Sequence, residues 1–325
     1  MSAATPRVSV VIPVWNGERT IAATLDSVLA QTVRDIEVLV IDDGSTDGTA
    51  AIVSKSADSR VALHRFENRG LAASRNRGMR LARGEFIAFV DADDLWRPER
   101  LARQLEALDA APTAALAYSF TDCIDEGGTV VGPGSYIVAE GRVYERLLVW
   151  NFLDNGSSMI ARRDALLASG GFDETLPAAE DWDLWLRIAW HHEFACVPHA
   201  DVLYRLSPGA MSSRIGRQES ACELVFARAL DRIAPGPQRD RLGREGRGNL
   251  ARYFTGRALT AEAPRLALSY WWRFLRQTPR RWHDAPVLGR FLGRIAIVAL
   301  LPGPLARRIS ATLRRIAGPE RRPRH

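Results

Sequence analysis

The stretch of chain from residue 8 to residue 120 alternates regularly between short apolar runs and amphipathic segments. The apolar runs are rich in β-branched residues, which is typical of strands buried on both faces of a parallel sheet. The amphipathic segments place apolar residues at helical spacing. This alternation predicts an α/β fold with a mainly parallel sheet flanked by helices. The predicted strands are Val8–Pro13, Ile36–Ile41, Val61–Phe66, Phe86–Val90 and Ala114–Phe120.

Polar residues follow three of these strands at the point where each strand ends. They lie in the segments Pro13–Asn16, Asp42–Ser45 and Asp91–Asp94. Ligands of open α/β sheets bind beyond the carboxyl ends of the parallel strands. The sequence therefore predicts one site along this edge of the sheet.

The third segment concentrates carboxylates, with Asp91, Asp93 and Asp94 within four positions. Such close carboxylates repel one another, and a divalent cation with a preference for oxygen ligands, Mg²⁺ or Mn²⁺, would relieve the repulsion. The alternative is a solvated turn with an aspartate cap for the helix that begins at Pro98.

Two further segments contain candidate ligands for a nucleotide. Asp43 follows a buried strand and precedes any helix cap, so its carboxylate can accept a hydrogen bond from a pyrimidine or a ribose; the alternative for this acidic segment is a helix N-cap at Ser45 or Asp47. The glycine-punctuated segment NRGLAASRNRG contains Arg75, whose planar guanidinium suits phosphate oxygens. The alternative for this segment is a helix with a solvated basic face.

A predicted helix at Ala179–His191 opens with Glu180, Asp181 and Asp183. Acids are favoured at a helix N-terminus by the dipole alone. If this end faces the metal site, one carboxylate can act as general base on an incoming hydroxyl. Trp182 fits either the core or a platform for a sugar ring.

The rest of the composition indicates two regions and a reducing compartment. Three widely spaced cysteines form no disulfide framework, the first residues lack a signal-peptide pattern, and no apolar run is long enough to span a bilayer. We therefore expect a cytoplasmic protein.

Residues 241–325 hold 19 arginines against four acids, whereas the rest of the chain holds 25 basic and 34 acidic residues. We predict a catalytic domain at 1–213 and a helical, arginine-rich region at 214–325.

This basic region contains an apolar segment, Val287–Leu301, that Arg290 and Arg294 interrupt. An apolar helix beside arginines is typical of attachment to an anionic membrane surface, here the cytoplasmic face of the inner membrane. The alternative is a helical subdomain with a solvated basic end.

Five blocks together resemble the inverting glycosyltransferase family two, with its GT-A, Rossmann-like fold: VSVVIPVWNGE, VLVIDDGSTDGT, NRGLAASRNRG, FIAFVDADDLWRPERL and AAEDWDLWLR. The resemblance implies a nucleoside-diphosphate sugar donor, with UDP favoured, and an acceptor hydroxyl on a glycan or a lipid-linked sugar in cell-surface polysaccharide or glycolipid synthesis. It implies that Asp181 is the catalytic base and that Asp91 and Asp93 form the D-x-D motif, with Asp93 the direct ligand of Mn²⁺ or Mg²⁺. The implied base pocket is lined by Pro13, Trp15, Asn16 and Asp43.

Three alternatives from other classes stay open at this point. The basic tail suits a nucleic-acid- or polyanion-binding protein, although no known binding motif is present and we expect no nucleic-acid partner. A carbohydrate-binding scaffold with a decayed site would not need Asp93 and Asp181 intact. A nucleotidyltransferase would usually have a basic, glycine-rich loop after the first strand, where this chain has PVWNGE.

Overall fold

The computed structural model of the chain describes residues 5–207, 215–277, 285–300 and 309. The chain divides into two compact units. The first unit comprises Met1–Leu147 and Asn151–Ser207, and the second comprises Leu148–Trp150 and Pro208–His325.

The first half of the first unit is a parallel sheet with helical connections. Its strands lie in the order β3-β2-β1-β4, and every residue of β1 and β2 is buried. This explains why both strands are continuous apolar runs in the sequence. The elements are β1 (Val8–Val14), α1 (Ile21–Leu29), β2 (Ile36–Asp42), α2 (Thr49–Ser54), β3 (Val61–Arg65), α3 (Leu71–Leu81) and β4 (Phe86–Phe89).

The second half extends the sheet beyond β4 with strands of both directions. The full order is β3-β2-β1-β4-β8-β6-β9-β5, with β7 paired to β6; β8 is antiparallel to both of its neighbours, and β9 is parallel to β6. The predicted fold class, a mainly parallel sheet flanked by helices, is confirmed. The elements are β5 (Leu95–Trp96), α4 (Arg100–Ala110), β6 (Ala114–Ile124), β7 (Val130–Pro133), α5 (Tyr144–Val149), β8 (Met159–Arg162), α6 (Arg163–Ala168), α7 (Glu180–His191) and β9 (Glu193–Arg205).

The longest strand, β9, has no counterpart among the predicted elements. Its ladder with β6 shifts register, because Val197 pairs with Ser119 while Ala200 pairs with the next residue, Phe120. The intervening Pro198 and His199 bulge out of the ladder, where a proline without an N–H is tolerated. The bulge breaks the period of two that would have identified the strand.

The described part of the second unit is helical, which confirms the predicted C-terminal helical extension. Within the described residues, no helix combines the length and the apolar character needed to cross a bilayer. The helices are α8 (Ile215–Leu230), α9 (Pro237–Thr260), α10 (Pro264–Gln277) and α11 (Ala285–Leu300).

Helix α3 lies directly on the central strand β1. A Cβ atom at Gly78 would stand 2.2 Å from Cγ1 of Val11, so only glycine allows this approach. Residues of β1 at even positions face the opposite side, where Val10 and Ile12 pack in one core with apolar residues of α1 and α4. The close contact at Gly78 therefore sets how near α3 and its arginines come to the sheet.

We expect Gly78→Ala to lower the free energy of unfolding by about 1–3 kcal/mol, because the added methyl group overpacks against Val11. Urea denaturation followed by circular dichroism measures this change. The control is Gly132→Ala in β7, where a Cβ atom would meet nothing within 4 Å. Equal stability of the two variants would show that the α3–β1 contact is not tight.

Candidate active site

The loops that follow β1 and β2 are joined by hydrogen bonds through Asn16. Its backbone N–H donates to Oγ of Ser45 at 2.9 Å, and its side-chain Oδ1 accepts from the backbone N–H of Thr46 at 2.8 Å. Asn16 adopts a positive φ of 53°, which asparagine tolerates better than most residues. Pro13 is buried in β1, whereas the neighbouring Trp15 is 61% exposed. The loop therefore presents an indole to solvent at this edge of the sheet.

Asp43 lies buried at the end of β2, where it holds the start of α3. Its carboxylate accepts hydrogen bonds from the backbone N–H groups of Arg69 and Gly70 and from Nη1 of Arg77, at 2.7–3.2 Å. It is not the N-cap of α2; the aspartate that accepts from the backbone N–H of Thr49 in that helix is Asp47. Any nucleotide contact of Asp43 would share oxygens that already bind α3 and its preceding loop.

Arg75 connects the two acidic motifs that the sequence places far apart. Its Nη2 donates to Oδ1 of Asp91 at 2.6 Å, and its Nη1 donates to Oε1 of Glu180 at 2.9 Å. The guanidinium is fully buried, which alone would lower the pKa of Arg75, but the carboxylates of Asp91, Glu180 and Asp181 raise it. The sequence predicted Arg75 at the site; it did not show that both Nη atoms bind carboxylates.

The segment Asp91–Asp94, here called the acid loop, closes as a turn in which the N–H of Asp94 donates to the carbonyl of Asp91 at 3.0 Å. Its three carboxylates have different environments. Asp91 is partly exposed and paired with Arg75. Burial, and secondarily the charge of Asp91, raises the pKa of Asp93 to about 6.

Asp94 is fully buried, and its carboxylate binds partners outside the acid loop. Its Oδ2 accepts from the hydroxyl of Ser157 at 2.5 Å, and its Oδ1 accepts from the backbone N–H of Arg205 at 3.0 Å. Burial, followed by the charges of Asp91 and Asp93, raises the pKa of Asp94 well above its ordinary value. Asp94 is therefore a support of the loop. Neither Ser157 nor Arg205 was predicted from the sequence, because their role depends on contacts across the fold.

Helix α7 carries the candidate base at its N-terminus. The preceding residue, Ala179, is in the left-handed region with φ 59°, an unfavourable conformation for alanine. Burial, and secondarily the charge of Glu180, raises the pKa of Asp181 to about 7. Trp182 is only 3% exposed, and its indole N–H donates to the carbonyl of Leu147 at 3.0 Å. Trp182 thus belongs to the core, and the sugar-platform alternative is wrong.

The acid loop fits a divalent cation that takes its remaining ligands from a substrate. Magnesium in enzymes is usually held by one or two carboxylates together with phosphate oxygens and water. Asp91 and Asp93 supply two such carboxylates, and the charge of Asp91 adds to burial in raising the pKa of Asp93, an effect that a bound cation would offset. Within the described residues, no group of three or more His, Cys, Asp or Glu side chains is arranged to hold a metal by itself.

The family is established by comparison with known sequences. A family model described as glycosyltransferase like family 2 matches residues 9–245, which is most of the chain. The chain therefore belongs to this family, and the resemblance predicted from the five sequence blocks is confirmed.

The relatives of this chain include two proteins whose names describe a reaction or a pathway, and one uncharacterized protein. The UDP-Glc:alpha-D-GlcNAc-diphosphoundecaprenol beta-1,3-glucosyltransferase WfgD of Escherichia coli is 32% identical over 209 residues, covering 63% of this chain and 79% of WfgD. The succinoglycan biosynthesis protein ExoO of Rhizobium meliloti is 32% identical over 221 residues, covering 64% and 63%. An uncharacterized glycosyltransferase of Rickettsia bellii is 30% identical over 188 residues, covering 56% and 27%. The chain thus spans less than a third of the length of some relatives.

Solved structures of similar fold include two complexes with nucleotide sugars. Residues 1–349 of S. aureus TarS in complex with UDP-GlcNAc give a TM-score of 0.61 at 20% identity, covering 85% of this chain and 92% of that TarS fragment. The mannosyltransferase PcManGT from Pyrobaculum calidifontis, in complex with GDP-Man and Mn²⁺, gives 0.56 at 23% identity, covering 97% and 81%. These similarities confirm the GT-A fold.

We expect Asp181→Asn to stabilise the protein more at pH 8 than at pH 5. The raised pKa means that the folded state holds the Asp181 proton more tightly than the unfolded chain between its ordinary value of 3.8 and about 7. Ionisation therefore costs folding free energy as the pH rises through this range, and the full cost, about 4 kcal/mol for a pKa raised from 3.8 to about 7, applies above pH 7. Asparagine does not ionise and avoids this cost.

Thermal melting of both proteins at the two pH values measures the difference. The control is Asp183→Asn in the same helical turn, which loses an ion pair to Arg187 at 2.8 Å and should be less stable at both pH values. A stability gain that does not depend on pH would contradict the raised pKa of Asp181.

Proposed function

We propose that the chain transfers a sugar from a nucleoside-diphosphate sugar to an acceptor hydroxyl, with inversion at the anomeric carbon. The observation that carries the proposal is the Arg75 bridge, because one buried guanidinium binds both the D-x-D residue Asp91 and Glu180, the neighbour of the candidate base. A donor held at the acid loop and an acceptor activated at α7 would then meet at the same place.

The nucleotide end of the donor is assigned to the loops after β1 and β2. Trp15 offers an exposed indole on which a base can stack. Pro13 and Asn16 are close to it in the chain, and Asp43 begins the loop after β2, which hydrogen bonds join to the Trp15 loop. We favour UDP as the carrier, since TarS is described in complex with UDP-GlcNAc and the name of WfgD specifies UDP-Glc. Both Nη atoms of Arg75 already bind carboxylates, so a phosphate would have to share these nitrogens. The phosphate contact of Arg75 therefore stays a prediction.

Asp91 and Asp93 are the residues that would hold Mn²⁺ or Mg²⁺, with Asp93 as the direct ligand. Such a cation, when bound, would neutralise the charge that develops on the leaving nucleoside diphosphate. The complex of PcManGT with GDP-Man and Mn²⁺ supports a divalent cation in a protein of this fold. The backbone of the acid loop keeps the two carboxylates at the edge of the sheet while Asp94 remains inside.

Asp181 would take the proton from the acceptor hydroxyl. A pKa of about 7 suits this role, because a base near neutrality is ionised in a large fraction of molecules and still accepts a proton effectively. The hydroxyl oxygen then attacks the anomeric carbon from the face opposite the leaving diphosphate, and a single displacement inverts the configuration. No serine or cysteine nucleophile is required.

The test is calorimetric titration with UDP, GDP and dTDP, with and without Mn²⁺, on the wild type, Asp93→Ala and Asp181→Asn. We expect Mn²⁺-dependent binding of one nucleotide by the wild type and its loss in Asp93→Ala. Asp181→Asn should keep this binding while sugar transfer falls by about 10²–10⁴-fold. Failure of every nucleotide to bind the wild type would refute the enzyme, and full transfer by Asp181→Asn would remove Asp181 from the role.

The acceptor is proposed to be a lipid-linked sugar or a glycan, by analogy with the reaction that the name of WfgD describes. We place the catalytic domain at residues 1–213 and membrane attachment in the region 214–325, at the cytoplasmic face. Helix α11 supports this assignment because it buries Phe291 and Ile295 but exposes Leu292 and Leu300. The arginines beyond residue 300 lie outside the described residues.

We expect the full chain to sediment with vesicles that contain anionic lipid, and Leu292→Glu to weaken this binding by adding charge to the apolar face of α11. Leu224→Glu is the matched control, since Leu224 is equally exposed on α8 of the same unit. Vesicle binding equal in the two variants would argue against attachment through α11. Retention on DNA of arbitrary sequence, without vesicle binding, would favour the polyanion-binding alternative.

A further inference from the structure

The turn Gly156–Ser158, here called the serine turn, lies buried directly behind the acid loop. The hydroxyl of Ser157 contacts both ends of that loop. It accepts a hydrogen bond from the backbone N–H of Asp91 at 3.0 Å and donates to Oδ2 of Asp94 at 2.5 Å. A single buried hydroxyl therefore ties the first residue of the acid loop to the last.

The serine turn is itself held by side chains of a neighbouring helix and strand. The carbonyl of Ser157 accepts from Nη2 of Arg100 at 2.9 Å and from the indole N–H of Trp96 at 3.2 Å, and the carbonyl of Ser158 accepts from Nε2 of Gln104 at 2.8 Å. Arg100 is fully buried, and its Nε and Nη1 have no hydrogen-bond partner in the described part of the chain. A buried cation with unpaired donors is costly, and the carbonyls that Arg100 binds and the Trp96 ring, whose centroid lies 3.7 Å from its Cζ, offset part of that cost.

The serine turn also contacts the bridge between the two acidic motifs. A Cβ atom at Gly156 would stand 2.5 Å from Nη2 of Arg75, the nitrogen that donates to Asp91. Gly156 thus leaves the space in which the guanidinium lies. The serine turn therefore contacts both the backbone N–H of Asp91 and Arg75, the residue that binds the Asp91 carboxylate.

We infer that Ser157 is a positioning residue for the divalent-cation site, which it serves by fixing the backbone of Asp91 relative to Asp94. The inference rests on the proposed function. Groups that orient metal ligands typically change metal affinity by about 10–100-fold when they are removed. Ser157→Ala removes the acceptor for the Asp91 N–H and the donor to Asp94, so the acid loop loses the hydroxyl that ties its two ends.

Ser158 offers a matched control in the adjacent position. It is equally buried, but within the residues that the structure describes its hydroxyl donates only to the carbonyls of Leu153 and Asn155, in its own loop. Ser158→Ala should therefore lower stability to a similar degree without touching the acid loop. Ser157→Thr keeps the hydroxyl and should retain cation binding.

The experiment is a titration with Mn²⁺, followed by electron paramagnetic resonance of the free ion, in the presence of UDP or GDP, whichever the wild type binds more tightly. We expect Ser157→Ala to raise the Mn²⁺ dissociation constant by about 10-fold or more, and Ser158→Ala to leave it within about 2-fold of the wild type. If Ser157→Ala does not fold, Gly156→Ala, which displaces Arg75 from Asp91, should weaken Mn²⁺ binding while Ser157→Thr does not.

Two negative results have different meanings. Equal Mn²⁺ dissociation constants for Ser157→Ala and Ser158→Ala, with intact binding by the wild type, would overturn the role of Ser157 and leave the proposed function standing. No nucleotide-dependent Mn²⁺ binding by the wild type would overturn the proposed function and, with it, this inference.

Discussion

The arrangement of the site depends on the ion pairs of one buried guanidinium. An unpaired charge as deeply buried as that of Arg75 would be strongly unfavourable, and its two short contacts to Asp91 and Glu180 offset that cost. Removing either carboxylate would leave the cation underpaired, so the positions of both acidic motifs are coupled through it. Because Arg75 belongs to α3, whose distance from the sheet is set at Gly78, the packing of the core determines where these motifs meet.

The balance of charge around this bridge explains why the site suits its proposed chemistry. Burial raises the pKa of both Asp93 and Asp181, and neighbouring carboxylates add to the effect in each case. The cation of Arg75 lies between the two motifs but pairs with Asp91 and Glu180. Each motif thus retains one carboxylate whose ionised form is disfavoured, mainly by burial. A divalent cation would stabilise the ionised form of Asp93, and the raised pKa of Asp181 suits a proton acceptor.

The sequence predicts the apolar framework of this protein better than its polar contacts. Strands such as β1 are buried on both faces, so the local sequence alone identifies them. Strand β9 is not predicted from the sequence, because Pro198 and His199 bulge from its ladder. The bridge by Arg75 is not predicted for a different reason. Its partners lie 16 and 105 residues away along the chain, and no local sequence pattern indicates such a pairing. The candidate residues are therefore predictable as a set, whereas their partners are not.

The acid loop shows most clearly that residue type alone does not predict the role of a side chain. Asp91, Asp93 and Asp94 are identical in chemistry and almost adjacent, yet one forms an ion pair, one is half-buried with a raised pKa, and one is an interior acceptor. They differ because the fold gives their side chains different partners: Asp91 pairs with Arg75, whereas Asp94 binds groups behind the loop. Asp94 can remain inside only because Ser157 and the backbone N–H of Arg205 satisfy its oxygens. In the acid loop, Asp91 and Asp93 are thus the candidate ligands, and Asp94 is the support that holds them in place.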